Sequence, residues 1–110
     1  MEIIINDKTI NTDPEGYLDN PEDWSPELAQ ELAIRDGLDL TDDHWRVINF
    51  AREYFLDHGT APNLRFFQKG LKEEYGDEWG EKKFLFELFP LSPNKQANRY
   101  AGNKKPTGCV

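Results

Sequence analysis

Four short polar residues, Ser25, Thr41, Asn63 and Ser92, each stand directly before a run with apolar side chains three and four residues apart, and each run ends on glycine or proline. That punctuation constrains the fold more than any other feature of the chain. Ser, Thr and Asn accept hydrogen bonds from the free N–H groups of a first helical turn, while Pro at the next position fits helical φ and lacks only an unneeded donor. Ser25-Pro26-Glu27 therefore predicts a helix carrying Leu28/Leu32 and Ala29/Ala33 on one stripe, stopped near Gly37. Thr41-Asp42-Asp43 predicts a second helix to His58-Gly59, with Trp45, Ile48 and Phe55 and their neighbours Val47, Ala51 and Tyr54 on a wide apolar face. Asn63 predicts a third, with Leu64, Phe67 and Leu71 inward, bounded by Gly76-Asp77. A fourth follows, where Phe84/Leu88 and Leu85/Phe89 share a face up to Pro90, and Ser92-Pro93 starts a fifth that Gly102 stops.

Ahead of the helices, Glu2-Ile3-Ile4-Ile5, the turn Asn6-Asp7-Lys8 and Thr9-Ile10 read as a small β-hairpin, with a further turn at Asp13-Pro14-Glu15-Gly16. The expected fold class is α+β, mainly α: a short N-terminal hairpin and a bundle of about five helices, of which the second and third form a helix-turn-helix-like pair. Residues 1–102 form a single compact domain in this reading, and residues 103–110, with Pro106 and Gly108 and no apolar period, a mobile C-terminal arm.

Charge divides the chain differently. The formal net charge is −8, but residues 1–80 carry −12 and residues 81–110 carry +4. From Leu91 onward Lys95, Arg99, Lys104 and Lys105 meet no acid in the sequence. An acidic body disfavours general nucleic-acid binding, which depends on cationic contact with phosphates. No apolar run is long enough to span a bilayer and no signal-peptide pattern follows Met1, so neither a membrane nor export is expected.

The sequence holds one cysteine, Cys109, next to the last residue. A lone cysteine is ordinarily a small buried hydrophobe. A penultimate position on a polar arm predicts an exposed thiol instead, and a single thiol without a partner in the chain suits a reducing, cytoplasmic setting. Nearby cations lower a thiol's pKa and the thiolate is the nucleophile, so Lys104 and Lys105 favour reactivity while the terminal carboxylate opposes it. Other chemistry is thinly represented. His44 and His58 lack metal-ligand spacing, and there is no phosphate loop or nucleophile elbow. Arg65, Gln68, Lys69 and Lys72 on the third helix would be the contacts of a helix-turn-helix DNA reader, but Glu73 and Glu74 share that helix.

Read together, the ending Lys105-Pro106-Thr107-Gly108-Cys109-Val110 after Ala101-Gly102, the segment Leu88-Phe89-Pro90 with Pro93, Gln96 and Ala97, and Leu38 to Ile48 with Pro62 and Arg65 downstream resemble the DsrC/TusE family of sulfur-relay proteins over nearly the whole chain. The resemblance implies a mostly helical fold with an N-terminal hairpin, and a penultimate cysteine, here Cys109, that takes sulfur as a persulfide. It implies a sulfurtransferase working by persulfide relay, and nothing in the sequence calls for a metal, nucleotide or organic cofactor, so a cofactor-independent one is expected. In the branch resembling TusE, sulfur comes from a TusBCD-like complex and passes to an MnmA-like thiouridylase, which modifies the wobble uridine of tRNA to 2-thiouridine. The other branch works with dissimilatory sulfite reductase and generally carries a second cysteine 11 residues before the penultimate one, where this chain has Asn98. That departure points to the TusE branch. A DsrC-like partner of sulfite reductase, and a helix-turn-helix regulator, remain as alternatives. Lys95, Arg99, Lys104 and Lys105 serve either as a docking or thiolate-supporting surface, or only as a solvated tail.

Overall fold

The structure is a computed structural model and describes residues 1–105. Strands β1 (Glu2–Ile5) and β2 (Lys8–Asn11) pair antiparallel with Ile3 opposite Ile10. Asn6 and Asp7 connect them with φ of 50° and 65°. Positive φ at both central residues is the type I′ turn, one of the two two-residue turns that match strand twist, and Asn and Asp tolerate it best after glycine. The period of two then sends Ile3 and Ile10 into the core and leaves Ile4 exposed. A 3-10 turn at Pro21–Asp23 follows, started by the Asn20 side chain accepting from Glu22 N–H.

Five α-helices follow among the described residues: α1 (Pro26–Arg35), α2 (Asp42–His58), α3 (Leu64–Tyr75), α4 (Lys82–Leu88) and α5 (Pro93–Tyr100), with a second 3-10 turn at Asp77–Gly80. Ser25 and Asn63 cap as their residue types predict, accepting from Leu28 N–H at 3.2 Å and Phe66 N–H at 3.1 Å. The stripe Leu28, Ala29, Leu32, Ala33 is wholly buried. In α3, Phe67 and Leu71 are buried, and Gly70 lies under the Phe50 ring, where an added Cβ would come within 2.2 Å of it. Glycine is what lets α2 and α3 approach so closely.

Three expectations need correction. The buried face of α2 runs through His44, Val47, Ile48 and Ala51, while Trp45 and Phe55 are only half-buried at its edges. Ser92 does not cap α5. Its hydroxyl donates to Asn94 Oδ1, and Gln96 Oε1 instead reaches back to accept from Leu91 and Ser92 N–H at 2.9 and 3.0 Å. Phe89 is buried, but as the residue that closes α4 rather than as part of it.

The helix at the centre is the one whose sequence looks least like a core. α5 touches each of the other four helices, and Pro93, Asn94, Gln96, Ala97, Asn98 and Tyr100 are buried although its sequence is PNKQANRY. Buried polar side chains survive only when hydrogen-bonded, so α5 brings a polar network into the middle of the bundle.

Candidate functional site

Cys109 and the rest of residues 106–110 lie outside the described residues, as does the greater part of the expected arm. What is described is the root from which that segment departs, and it is tightly built. The last carbonyls of a helix have no intrahelical donor. Here Trp24 Nε1 donates to Tyr100 C=O at 2.7 Å, and Arg52 Nη1 to Ala101 C=O at 3.0 Å. The Arg52 guanidinium lies 3.5 Å from the centre of the Trp24 ring, a cation–π contact worth roughly 0.5–2 kcal/mol. Burial lowers the Arg52 pKa from its usual value, while the carbonyl and the ring face take the place of water around a cation at the negative end of α5. Gly102 packs against Trp24 with φ +74°, where an added Cβ would sit 2.6 Å from Trp24 Cδ1.

One residue further, Asn103 is 4% exposed, although the sequence places it at the start of the arm. Its side-chain amide donates to Ala51 C=O at 2.9 Å and to Asn98 Oδ1 at 3.0 Å, and its N–H donates to Asn98 C=O at 3.0 Å. Asn98 is fully buried and donates to Pro62 C=O at 2.9 Å and Asn94 C=O at 2.7 Å. Asn98 thus ties together α5, the connection before α3 and, through Asn103, α2. The position where a second thiol is absent has structural work of its own.

The basic residues grouped by sequence do not form one free surface. Arg99 Nη2 pairs with Asp36 Oδ2, and its Nη1 donates to Glu15 C=O at 3.0 Å. Tyr100 OH donates to the same Asp36 oxygen and accepts from Gln96 Nε2 at 3.0 Å. Burial, and then the bond to Asp36, push the Tyr100 hydroxyl well above the usual phenol range. Lys105 meets Glu15 at 2.8 Å, with both side chains about half exposed (52% and 53%), so the pair is worth at most about 1 kcal/mol. Lys95 and Lys104 are exposed. Sequence reasoning missed these pairings because Asp36 and Glu15 lie 63 and 90 residues from their cations. It missed the root for the same reason: nothing local marks Trp24, Arg52 or Asn103 as neighbours.

His44 is structural. Its Nδ1 accepts from Thr41 N–H at 3.0 Å, so the Nε2 that contacts Leu88 C=O at 2.7 Å carries the proton. A histidine at the third helical position does here what Glu or Gln does in a capping box, which hid it from a motif search. His58 ends α2 and stacks on Tyr54, 4.2 Å between ring centres. Among the described residues no cluster of three His, Cys, Asp or Glu could hold a metal ion, and no helix is long and apolar enough to cross a membrane. Two shallow clefts flank the root. Pro21, Arg52, Phe55 and Leu56 with residues 101–103 line one, and Phe55, Gly59, Thr60 and Ala61 with Lys104 and Lys105 line the other.

The family model described as "DsrC like protein" matches residues 4–110. The chain is 44% identical over 105 residues to the sulfurtransferase TusE of Sodalis glossinidius (strain morsitans), covering 96% of this chain and 97% of the relative. It is 40% identical over 108 residues to the sulfurtransferase TusE of Salmonella paratyphi A, covering 98% and 99%. Among solved structures, the NMR structure of Allochromatium vinosum DsrC matches with a TM-score of 0.90 at 46% identity, each chain fully covered. The oxidized gamma-subunit of the dissimilatory sulfite reductase (DsrC) from Archaeoglobus fulgidus matches at 0.88 and 36%, again over the whole of both chains. Overall identity is similar toward TusE and toward DsrC, so it does not separate the two branches.

Proposed function

This chain belongs to the DsrC-like family, and we propose on that premise that it is a sulfurtransferase whose Cys109 carries sulfur as a persulfide between proteins. The observation that carries the reading is the ending itself. The family match runs through residue 110 and so includes the one cysteine, and relatives that align over almost their full length are named sulfurtransferases.

The chemistry balances without a cofactor. Cys109 thiolate attacks the outer sulfur of a donor persulfide, the donor's S–S bond breaks, and the donor thiolate leaves as Cys109–S–S⁻ forms. An acceptor thiolate then takes the outer sulfur and Cys109 departs as thiolate, so neither transfer changes the net redox state. The donor is a TusBCD-like complex and the acceptor an MnmA-like thiouridylase acting on the wobble uridine of tRNA in the cytoplasm. Asn98 supports this branch. The sulfite-reductase branch generally has its second thiol there, whereas this chain has a buried carboxamide engaged on both its nitrogen and its oxygen. The resemblance in fold to DsrC keeps partnership with a sulfite reductase as the second reading. DNA binding gains nothing from α3: Gln68 is spent on Gly80 C=O, and exposed Glu73 and Glu74 accompany Lys69 and Lys72.

Intact-mass analysis after incubation with sulfur-loaded TusBCD complex tests the proposal. A gain of one sulfur, absent in Cys109→Ser, is the expected result. A wild-type protein that gains none refutes it, and a gain from sulfite-reductase proteins alone transfers the role to the second reading.

A further inference from the structure

We infer that the two clefts beside the tail root, one of them lined by the exposed Leu56, form the surface on which the sulfur-exchange partner docks. The inference rests on the sulfur-relay reading and adds the place of contact.

The argument begins with reach. The root is held through Asn103 by side-chain bonds to α2 and α5, and Cys109 follows six residues later. At about 3.3–3.6 Å per residue, six residues extend at most about 22 Å. That is about half of the 41 Å long dimension of the molecule. A partner of ordinary interface size covers about 800 Å² of this protein, a disc of about 16 Å radius. For Cys109 to enter the partner's reactive site while the two proteins are docked, such a disc must lie against the ground around Asn103.

That ground has the composition of an interface centre. Leu56 is 79% exposed, the most exposed of the large hydrophobic residues described. Phe55 beside it is half-buried and forms a wall of both clefts, and Ala61 continues the apolar surface past the root. Exposed aliphatic and aromatic side chains next to small concavities provide the anchor-and-pocket contact on which binding energy concentrates. Lys104 borders the second cleft. The occupant that fits is therefore the protein exchanging sulfur with Cys109, bringing an apolar side chain to the clefts and a carboxylate opposite Lys104.

The experiment uses full-length protein, sulfur-loaded TusBCD complex as donor and MnmA as acceptor, and compares Leu56→Asp with Ile34→Asp. Ile34 is 64% exposed on α1 and lines neither cleft. Loading of Cys109 by inorganic polysulfide, which needs no docking, reads the thiol alone. Leu56→Asp is expected to raise the KM for transfer about tenfold with kcat within about twofold, the signature of lost docking contact. Ile34→Asp is expected to change neither by more than about twofold. A KM for Leu56→Asp within about twofold of wild type, or an equal rise in both variants, overturns the inference. Wild-type protein that loads from polysulfide but exchanges with neither protein instead removes the sulfur-relay reading, and the docking surface falls with it.

Discussion

Truncating Asn98 to alanine probes how much of the bundle's stability is held in the polar network beneath the tail root. The substitution deletes two donated bonds, to Pro62 C=O at 2.9 Å and Asn94 C=O at 2.7 Å, and the oxygen that accepts from Asn103. Asn94 keeps the partner its carbonyl has within the helix, and Asn103 Nδ2 keeps Ala51 C=O. Pro62 is buried and loses its side-chain donor. One orphaned buried carbonyl costs about 1–3 kcal/mol. The space vacated by the carboxamide and the weakened hold on Asn103 bring the expected loss to about 2–4 kcal/mol, out of a total of about 5–15 kcal/mol for a domain of this size. With a urea m-value of about 2 kcal/mol/M, the middle of the usual range, the unfolding midpoint should fall by roughly 1–2 M. Equilibrium urea unfolding followed by far-UV circular dichroism measures it. Because Asn98 and Asn103 share a bond, the double variant with Asn103→Ala should fall short of additivity by about 0.5–3 kcal/mol. A midpoint shift below about 0.3 M at unchanged m, or strict additivity, would show that the network is incidental.

Gly102→Ala should lose about 2–4 kcal/mol, from a Cβ carried at φ +74° and placed 2.6 Å from Trp24 Cδ1. Thermal unfolding and the tryptophan emission report it, and an unchanged Tm would mean that Trp24 moves aside without cost. Tyr100 carries a pH dependence of definite sign. Its folded pKa is raised, so its contribution is fully present below the unfolded phenol value of about 10 and is lost as pH rises beyond that. Urea midpoints taken from about pH 8 to about pH 11 should fall more steeply for wild type than for Tyr100→Phe, and parallel curves would contradict the assignment.

Helix starts were legible because they are local. Ser25 with Pro26, and Asn63, place the first turns of α1 and α3 through bonds that span three residues. The hairpin was legible for the same reason: Asn6-Asp7 and the alternation around Ile3 are short-range facts. The failures are equally physical. Ser92 carries the signal of a cap, yet its hydroxyl donates to Asn94 Oδ1 instead of accepting from the first turn, and Gln96 reaches back to the Leu91 and Ser92 N–H groups just ahead of it. The edges of α2 were misjudged because Trp45 and Phe55 are large and apolar, whereas burial depends on which side α5 and α3 occupy.

The candidate site divides along the same line. A lone penultimate cysteine and the charge asymmetry around it can be read from the sequence, because chemical identity and chain position need no fold. The sequence also shows that residue 98 is not a thiol. Only the tertiary structure decides that Asn98 is buried at the centre of the bundle, that Asn103 belongs to that centre, and that Trp24 and Arg52 close the end of α5. These contacts join residues separated by 49 to 76 positions in the chain, apart from the five between Asn98 and Asn103. No local pattern records which distant donor will meet which carbonyl. That is settled when the apolar faces of α1, α2 and α3 pack and enclose α5, leaving its polar atoms no water to bond and only each other.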